Sequence, residues 1–344
     1  MSATILRGDA ACLPLPDESV DLVVTSPPYF GLRSYTDGGE HYAGQIGSEA
    51  TPREFLDALL ACTREWVRVL KPSGSIFVNL GDKYSERASP EWRGSSDGYT
   101  GRHDKGRRSN TTNFAPRKSL MGLPWRYAIR CIDDLGLILR AEIIWAKTNG
   151  MPESAADRVR RMHEQVFHFT REPRYFAVVD DIREPHAEWT LKAYGYERKG
   201  YRRRANADRT DGGGFAKAPE ANPLGKMPGS VWEIAPQPLT VPARLGVDHF
   251  AAFPTELPRR IILGWSPPGG IVADPFGGTG TTALVADVHG RTGISVDRSA
   301  DYCRLARWRV SDPAERARAM CVPKPPPVAE GQEPLFGALT AGAS

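Results

Sequence analysis

The sequence predicts an α/β fold with one mainly parallel sheet, on the strength of two distant segments. Residues 20–25 form a β-branched apolar run that stops at two prolines, which cannot continue a strand ladder. Residues 270–283 read as a strand, a glycine-rich turn and the start of a helix. Strands that alternate with helices in this way are typical of parallel sheets. The chain has 344 residues, enough for one large or two ordinary domains.

Widely separated parts of the chain contribute strands to the predicted sheet. Strands are expected near residues 4–8, 20–25, 75–80, 138–146, 174–179, 271–274 and 293–297. Ligands of open α/β sheets bind beyond the carboxyl ends of the strands. A single sheet would bring Ser26 and Gly278, one from each part of the chain, to the same edge.

The tetrad Ser26-Pro27-Pro28-Tyr29 closes the strand predicted at 20–25. It offers a hydroxyl, carbonyls with no competing N–H at the two prolines, and an aromatic face, which together suit a flat base that bears an amino group. A strand that ends in an ordinary Pro-Pro turn explains the same residues without any function. The tetrad alone leaves both interpretations open.

The glycine-rich turn has nucleotide-binding spacing. Gly278, Gly280 and Ala283 match the pattern G-x-G-x-x-A, and the run at 293–297 ends in Asp297, a carboxylate suited to accept hydrogen bonds from ribose hydroxyls. A nicotinamide dehydrogenase would carry the same pattern. Asp274, just before the turn, would repel a pyrophosphate but suits a ligand with an ammonium group.

Together these motifs resemble those of the β-class amino-group DNA methyltransferases, which use S-adenosyl-L-methionine. Residues 25–29 resemble the catalytic motif, and residues 274–282 resemble the cofactor loop. Similar blocks, in the permuted order of that class, occupy residues 5–9, 66–78, 143–149 and 249–257. The resemblance spans residues 4–310. It implies a Rossmann-like methyltransferase fold and a catalytic domain of residues 1–310.

The resemblance also implies roles for individual residues. Ser26 and the Pro27 carbonyl would accept the amino hydrogens of a flipped-out base, Tyr29 would stack on that base, and Pro28 completes the tetrad. The residues expected around S-adenosyl-L-methionine are Asp9, His249, Phe253, Pro254, Asp274, Phe276, Gly278, Gly280, Thr281 and Asp297. No metal is expected, because a sulfonium is already a good leaving group.

Two polar, basic stretches interrupt the pattern of strands and helices. Residues 84–118 and 183–229 lie where the family carries a mobile loop and its target-recognition region. Basic side chains interleaved with aromatic ones neutralise phosphates and contact bases, although solvated loops have a similar composition. The residues expected to bind DNA are Arg107, Arg108, Arg202, Arg203 and Arg204. Residues 311–344 lack a core pattern and are expected to be disordered.

Composition places the chain in a cellular context. The net charge is +4, and the five cysteines form no C-x-x-C pair, so reduced thiols are expected rather than disulfides or zinc ligands. The N-terminus lacks a signal pattern, and no apolar run has membrane-spanning length, which predicts a soluble cytoplasmic protein without membrane contact. Double-stranded DNA is the expected partner. A cognate restriction endonuclease, as in restriction-modification systems, and a dimer of the chain are left open.

The expected reaction is site-specific DNA methylation at N4 of cytosine. In the family, Ser at the first tetrad position favours cytosine, whereas Asp there favours adenine. An adenine-N6 methyltransferase is therefore the nearest alternative. A dehydrogenase would leave the tetrad without a role, and a non-catalytic DNA-binding module would not explain the glycine-rich turn.

Overall fold

One eight-stranded sheet runs through the part of the chain that the computed structural model describes. The described residues are 3–32, 36–37, 40–41, 44–85, 111, 113–150, 155–187, 222–247 and 253–321. The strands are β1 (Thr4–Arg7), β2 (Val20–Thr25), β3 (Thr36–Asp37), β4 (Glu40–His41), β5 (Leu70–Leu80), β6 (Ile138–Ala146), β7 (His163–Thr170), β8 (Val231–Glu233), β9 (Ile271–Asp274) and β10 (Thr292–Asp297). Strands β3 and β4 form a separate small hairpin.

The sheet has the order β1-β10-β9-β2-β5-β7-β6-β8. Among these described strands, five neighbouring pairs are parallel, and only β7 runs antiparallel to its neighbours β5 and β6. The prediction of a mainly parallel sheet is confirmed. Strands β2 and β9 are adjacent, with Leu22 opposite Val272 and Val23 opposite Ala273. The two segments that carry the predicted motifs therefore end side by side.

Helices cover both faces of this sheet. They are α1 (Pro52–Val69), α2 (Leu123–Asp133), α3 (Glu256–Trp265), α4 (Thr281–Val288), α5 (Ala300–Ser311) and α6 (Pro313–Ala319), with short 3₁₀ turns at Val179–Ile182 and Ala243–Leu245. The start of α1 shows how sequence sets these bounds. Thr51 accepts a hydrogen bond from the Glu54 N–H at 3.2 Å, the Glu54 carboxylate accepts one from the Thr51 N–H at 2.9 Å, and Pro52 opens the first turn.

Neighbouring residues of β2 belong to different cores, because side chains alternate across a strand. Val23 packs in a cluster with Leu59 and Trp66 of α1, whereas Leu22 packs in a second cluster with Ile261 of α3 and Leu284 of α4. Every residue of β2 except Asp21 is buried. The strand that ends in the tetrad is thus packed on both sides, which holds its carboxyl end in place.

The strand predicted at 174–179 is wrong, and a strand at 163–170 was missed. The Phe176 N–H donates to the Ser73 carbonyl and the Val178 N–H to the Gly264 carbonyl, so the segment crosses between elements without joining the ladder. Strand β7 pairs with β5 instead. The sequence did not predict β7 because the strand begins with three polar residues.

Two further expectations need correction. Strand β5 begins five residues before the strand predicted near 75–80, and its pairing with β2 shifts register between Val20 and Leu22. The disorder expected from residue 311 is wrong for the first part of that segment, because residues 313–319 form α6, in which Glu315 and Ala319 are buried. Residues 322–344 lie outside the described residues. No described helix has the length and hydropathy to cross a bilayer.

Candidate active site

A cavity of about 330 Å³ lies beyond the carboxyl ends of β2, β9 and β10. Residues from both predicted motifs line it together, although they are far apart in the chain. The predicted site residues on its wall are Asp9, Ser26, Pro28, Phe253, Phe276, Gly278, Thr281 and Asp297. The sequence did not indicate several other lining residues, including Gln45, Ile46, Cys62, Arg298 and Tyr302. The structure therefore brings the tetrad and the glycine-rich turn to one cavity.

The glycine-rich turn has a shape that only glycine permits at two positions. Gly280 has φ of 73°, and a Cβ there would lie 2.9 Å from the Cβ of Ala306 on α5. A Cβ on Gly277 would lie 1.8 Å from the Ser295 Oγ on β10. The turn is thus pressed between β10 and α5, and its backbone forms part of the cavity wall.

A buried ion pair supports this turn from behind. Arg309 of α5 pairs with Glu315 of α6 at 2.8 Å, and its guanidinium also donates to the hydroxyl oxygens of Thr279 and Thr281 at 2.8 Å and 2.6 Å. Both charged side chains are less than one-tenth exposed. Arg309 was not expected from the sequence, because nothing in its local pattern indicates a partner thirty residues away in the turn.

Asp297 ends β10 at the cavity wall. Its two carboxylate oxygens accept hydrogen bonds from the N–H groups of Gly278 at 2.9 Å and Ser299 at 2.8 Å. Burial raises the pKa of this carboxyl group to about 6. The carboxylate is therefore oriented by the backbone, and acceptor capacity remains for the hydroxyl groups of a ligand.

Asp274 has a different position from the one expected. It is 1% exposed and does not line the cavity. Its oxygens accept hydrogen bonds from the hydroxyls of Thr25 and Thr282, both at 2.7 Å, and from the Phe276 N–H at 3.1 Å. Burial raises its pKa to about 6 as well. Asp274 thus connects the end of β2, one residue before Ser26, to the first turn of α4.

Ser26 lies between the cavity and a second group of polar residues. Its Oγ is 3.5 Å from the Tyr29 hydroxyl oxygen and accepts a hydrogen bond from the Asn79 side-chain amide at 3.3 Å. The Tyr29 ring packs against Gly81, where a Cβ would lie 2.6 Å from the ring carbon Cε2. The tetrad residues Pro27 and Tyr29 do not line the cavity themselves.

The second polar group contains three residues to which the sequence assigned no role. Glu164 at the start of β7 accepts hydrogen bonds from the Tyr29 hydroxyl at 2.5 Å and from the Asn79 amide at 2.7 Å, and it pairs with Lys147. Asn79 lies on β5, and Lys147 directly follows β6. Because the sequence did not predict β7, it gave no position in the sheet for Glu164. Lys147 stood within a block that resembles the family, but with no partner assigned.

The remaining predicted site residues are not part of the cavity wall or are not described. Pro254 is buried, and neither it nor Gly280 lines the cavity. The predicted residues that lie outside the described ranges are His249, Arg107, Arg108, Arg202, Arg203 and Arg204. Both basic stretches, 84–118 and 183–229, are described only at their ends.

Comparison with known proteins agrees with this geometry. A family profile for DNA methylases matches residues 20–307. The chain is 33% identical over 311 residues to the type II methyltransferase M.SmaI of Serratia marcescens, covering 90% of this chain and 91% of the relative. It is 35% identical to M.XycI of Xanthomonas campestris pv. cyanopsidis, covering 90% of this chain and 87% of the relative.

A solved structure shares the fold. The PvuII DNA methyltransferase, described as cytosine-N4-specific, aligns with a TM-score of 0.60 over 93% of each chain, at 20% sequence identity. Sequence, cavity and relatives thus agree, and the chain belongs to the DNA methylase family of amino-group methyltransferases.

Proposed function

We propose that this protein methylates the exocyclic N4 of cytosine at a specific site in double-stranded DNA. The observation that carries the proposal is the position of Ser26. One side of this residue lines the cavity that Asp297 also lines, and the other side contacts Tyr29 and Asn79. A group held at Ser26 therefore lies next to whatever the cavity holds.

The family assignment confirms S-adenosyl-L-methionine as the cofactor. The described residues fit this molecule. The cavity has a carboxylate for ribose hydroxyls at Asp297, aromatic rings at Phe253 and Phe276, and a glycine wall that a backbone-contacting ligand can approach closely. We assign Asp297 to the ribose, Asp9 to the side of the adenine, and Phe253 to the methionine end. The bound cofactor supplies an electrophilic methyl group on a sulfonium.

The tetrad would prepare the base for attack. An exocyclic amino group is a weak nucleophile, because its lone pair is conjugated with the ring. Acceptors at the Ser26 Oγ and the Pro27 carbonyl would hold both amino hydrogens, so that the nitrogen pyramidalises and directs its lone pair toward the cavity. Tyr29 would hold the plane of the base by stacking. Orientation would then supply most of the rate acceleration.

The base has to leave the duplex to reach Ser26. Flipping costs a few kcal/mol, roughly, which stacking and phosphate contacts offset. We assign phosphate contacts to Arg107, Arg108 and the run Arg202-Arg203-Arg204, which lie outside the described residues. Replacing the run of three with alanine should flatten the dependence of log affinity on log salt by about one unit for each phosphate that the protein no longer neutralises. An unchanged slope would return the run to the role of a solvated loop.

Ser26 favours cytosine over adenine in this proposal. A neutral hydroxyl and a charged carboxylate at this position place an amino nitrogen differently, and a pyrimidine reaches less far into the pocket than a purine. The fold shared with a cytosine-N4-specific enzyme is compatible with this assignment. Methylation of N6 of adenine is the alternative, since the same two acceptors would serve it.

Product identification tests the proposal directly. DNA methylated by the purified protein is digested to nucleosides, which are separated and identified by mass. N4-methyldeoxycytidine is the expected product. N6-methyldeoxyadenosine would overturn the cytosine assignment and leave the family assignment intact. DNA that gains no methyl group would contradict the proposed activity.

A further inference from the structure

Four polar side chains from four separate segments meet behind Ser26. Glu164 of β7 is at the centre: one oxygen, Oε2, accepts from the Tyr29 hydroxyl at 2.5 Å and from the Asn79 Nδ2 at 2.7 Å, and the other pairs with the Lys147 ammonium. The Asn79 Nδ2 also lies 2.9 Å from the Tyr29 oxygen. Within the cluster, Lys147 is half-buried and Asn79 is buried.

The Glu164 carboxylate determines which groups of this cluster donate hydrogen bonds and which accept them. A carboxylate accepts hydrogen bonds and cannot donate them, so the Tyr29 hydroxyl must point its single hydrogen at Glu164. The Tyr29 oxygen is then left with lone pairs only. In its contact with Tyr29 the hydroxyl of Ser26 is therefore the donor, across 3.5 Å, which is the outer limit of hydrogen-bond distance.

The orientation of Asn79 follows from the same charge. Its amide nitrogen faces Glu164, Tyr29 and Ser26, and its Oδ1 is buried without a hydrogen-bond partner among the described residues. The reverse orientation would place the amide oxygen against a carboxylate, which is repulsive. An unpaired buried oxygen is unfavourable, and the contacts made by Nδ2 offset it. The two amide hydrogens of Asn79 are shared among these three acceptors, of which the Ser26 Oγ, at 3.3 Å, is the most distant.

These contacts favour one arrangement of the Ser26 hydroxyl. Its hydrogen is directed at Tyr29, and one lone pair receives the Asn79 N–H. One lone pair remains, and it is the group that an incoming amino hydrogen needs. We propose that Glu164 is a positioning residue for methyl transfer: through Tyr29 and Asn79 it sets the direction of the hydrogen-bond chain, so that Ser26 acts as an acceptor toward the target amine. The inference rests on the proposed function, because it concerns the acceptor that the reaction requires.

The replacement Glu164→Gln tests this directly. A glutamine keeps the size and one acceptor oxygen, but it adds an N–H₂ donor and removes the charge, so the direction of the chain is no longer imposed. With saturating S-adenosyl-L-methionine and DNA, the single-turnover rate of methylation should fall by about tenfold or more. The dissociation constants for cofactor and DNA should stay within about twofold, because Glu164 does not line the cavity.

A matched control is available on the neighbouring strand. Glu142 of β6 is also half-buried. In the β6–β7 ladder Trp145 pairs with Glu164, and Glu142, three residues before Trp145, pairs with Phe167. Glu142→Gln should leave the single-turnover rate unchanged. A Glu164→Gln rate equal to that of the wild type, while the wild type methylates cytosine, would overturn the inference and leave the proposed function intact.

The variant Tyr29→Phe extends the test and stands in if Glu164→Gln does not fold. It removes the hydroxyl but keeps the ring, and it should also lower the single-turnover rate at unchanged cofactor affinity. Because the two residues act in one chain, Glu164→Gln should cost less in the Tyr29→Phe background than in the wild type. Fully additive effects on the rate would show that Glu164 acts without Tyr29 and would overturn the proposal. So would a Glu164→Gln effect confined to thermal stability or DNA affinity.

Discussion

The two sides of the cavity are built in different ways. On the side proposed to bind the cofactor, the wall is largely backbone: the turn at 275–280 is shaped by glycines and held from behind by the Arg309–Glu315 ion pair. On the acceptor side, Ser26 depends on side chains of β5, β7 and the end of β6, which meet only in the folded chain. A site made of backbone leaves a spacing pattern in the sequence. A site made of side chains from several strands does not.

The largest effect is expected behind the cofactor wall. Glu315→Ala leaves the Arg309 charge buried without its partner, which should lower the free energy of unfolding by about 3 kcal/mol or more. It should also weaken binding of S-adenosyl-L-methionine, because Arg309 holds Thr279 and Thr281. Denaturant unfolding and calorimetry measure the two effects.

An exposed ion pair supplies the control for that experiment. Arg171 pairs with Glu18 at 3.0 Å, and the Glu18 side chain is 51% exposed. Glu18→Ala should change stability by less than about 1 kcal/mol, since solvent screens the pair. If Glu315→Ala were equally mild, the buried pair would not be what holds the turn.

The second effect separates the two sides. Ser26→Ala should lower turnover by about 100-fold, because its hydroxyl is the proposed acceptor for the reacting amine. Affinity for the cofactor should be nearly unchanged, since the turn and Asp297 keep their contacts. A methylation assay and calorimetry on the same protein check both parts. A large loss of cofactor affinity would mean that Ser26 belongs to the cofactor wall.

The third effect belongs to the cofactor side alone. Asp297→Ala removes the proposed ribose acceptor and should weaken cofactor binding by about 1–3 kcal/mol. Calorimetry is again the measurement. Unchanged affinity would remove Asp297 from the cofactor site, and the cavity wall would need a different ribose partner.

The smallest effect is a pH dependence. Burial raises the pKa of Asp297 to about 6, so lowering the pH through that value protonates the carboxyl group and removes an acceptor. Cofactor affinity should therefore fall by about tenfold between about pH 7.5 and about pH 5. In Asp297→Asn this dependence should flatten. A pH dependence that persists in this variant would point to Asp274, because burial raises the pKa of that carboxyl group to about 6 as well.

Prediction from sequence succeeded where local pattern decides structure. The buried run of β2, the glycine turn and the acid that ends β10 all follow from adjacent residues. Prediction failed where a distant partner decides. Residues 174–179 look like a strand, but Phe176 and Val178 each find a single partner in a different element. Glu164 is the second residue of β7, whose polar beginning does not look like a strand. Its contacts with Tyr29 and Asn79 join distant parts of the chain, and no sequence spacing predicts them.

The contact between Thr25 and Asp274 has a consequence for how the protein folds. The two residues are 249 positions apart, and closing a flexible loop of that length costs about 5 kcal/mol in chain entropy before any constant term. The pairing of β2 with β9 has a similar separation, and burial elsewhere must offset its entropy. Such non-local contacts slow folding. The cavity should therefore appear late in refolding, and a chain cut between residues 187 and 222 should give two fragments that are inactive apart and regain a cofactor site when mixed.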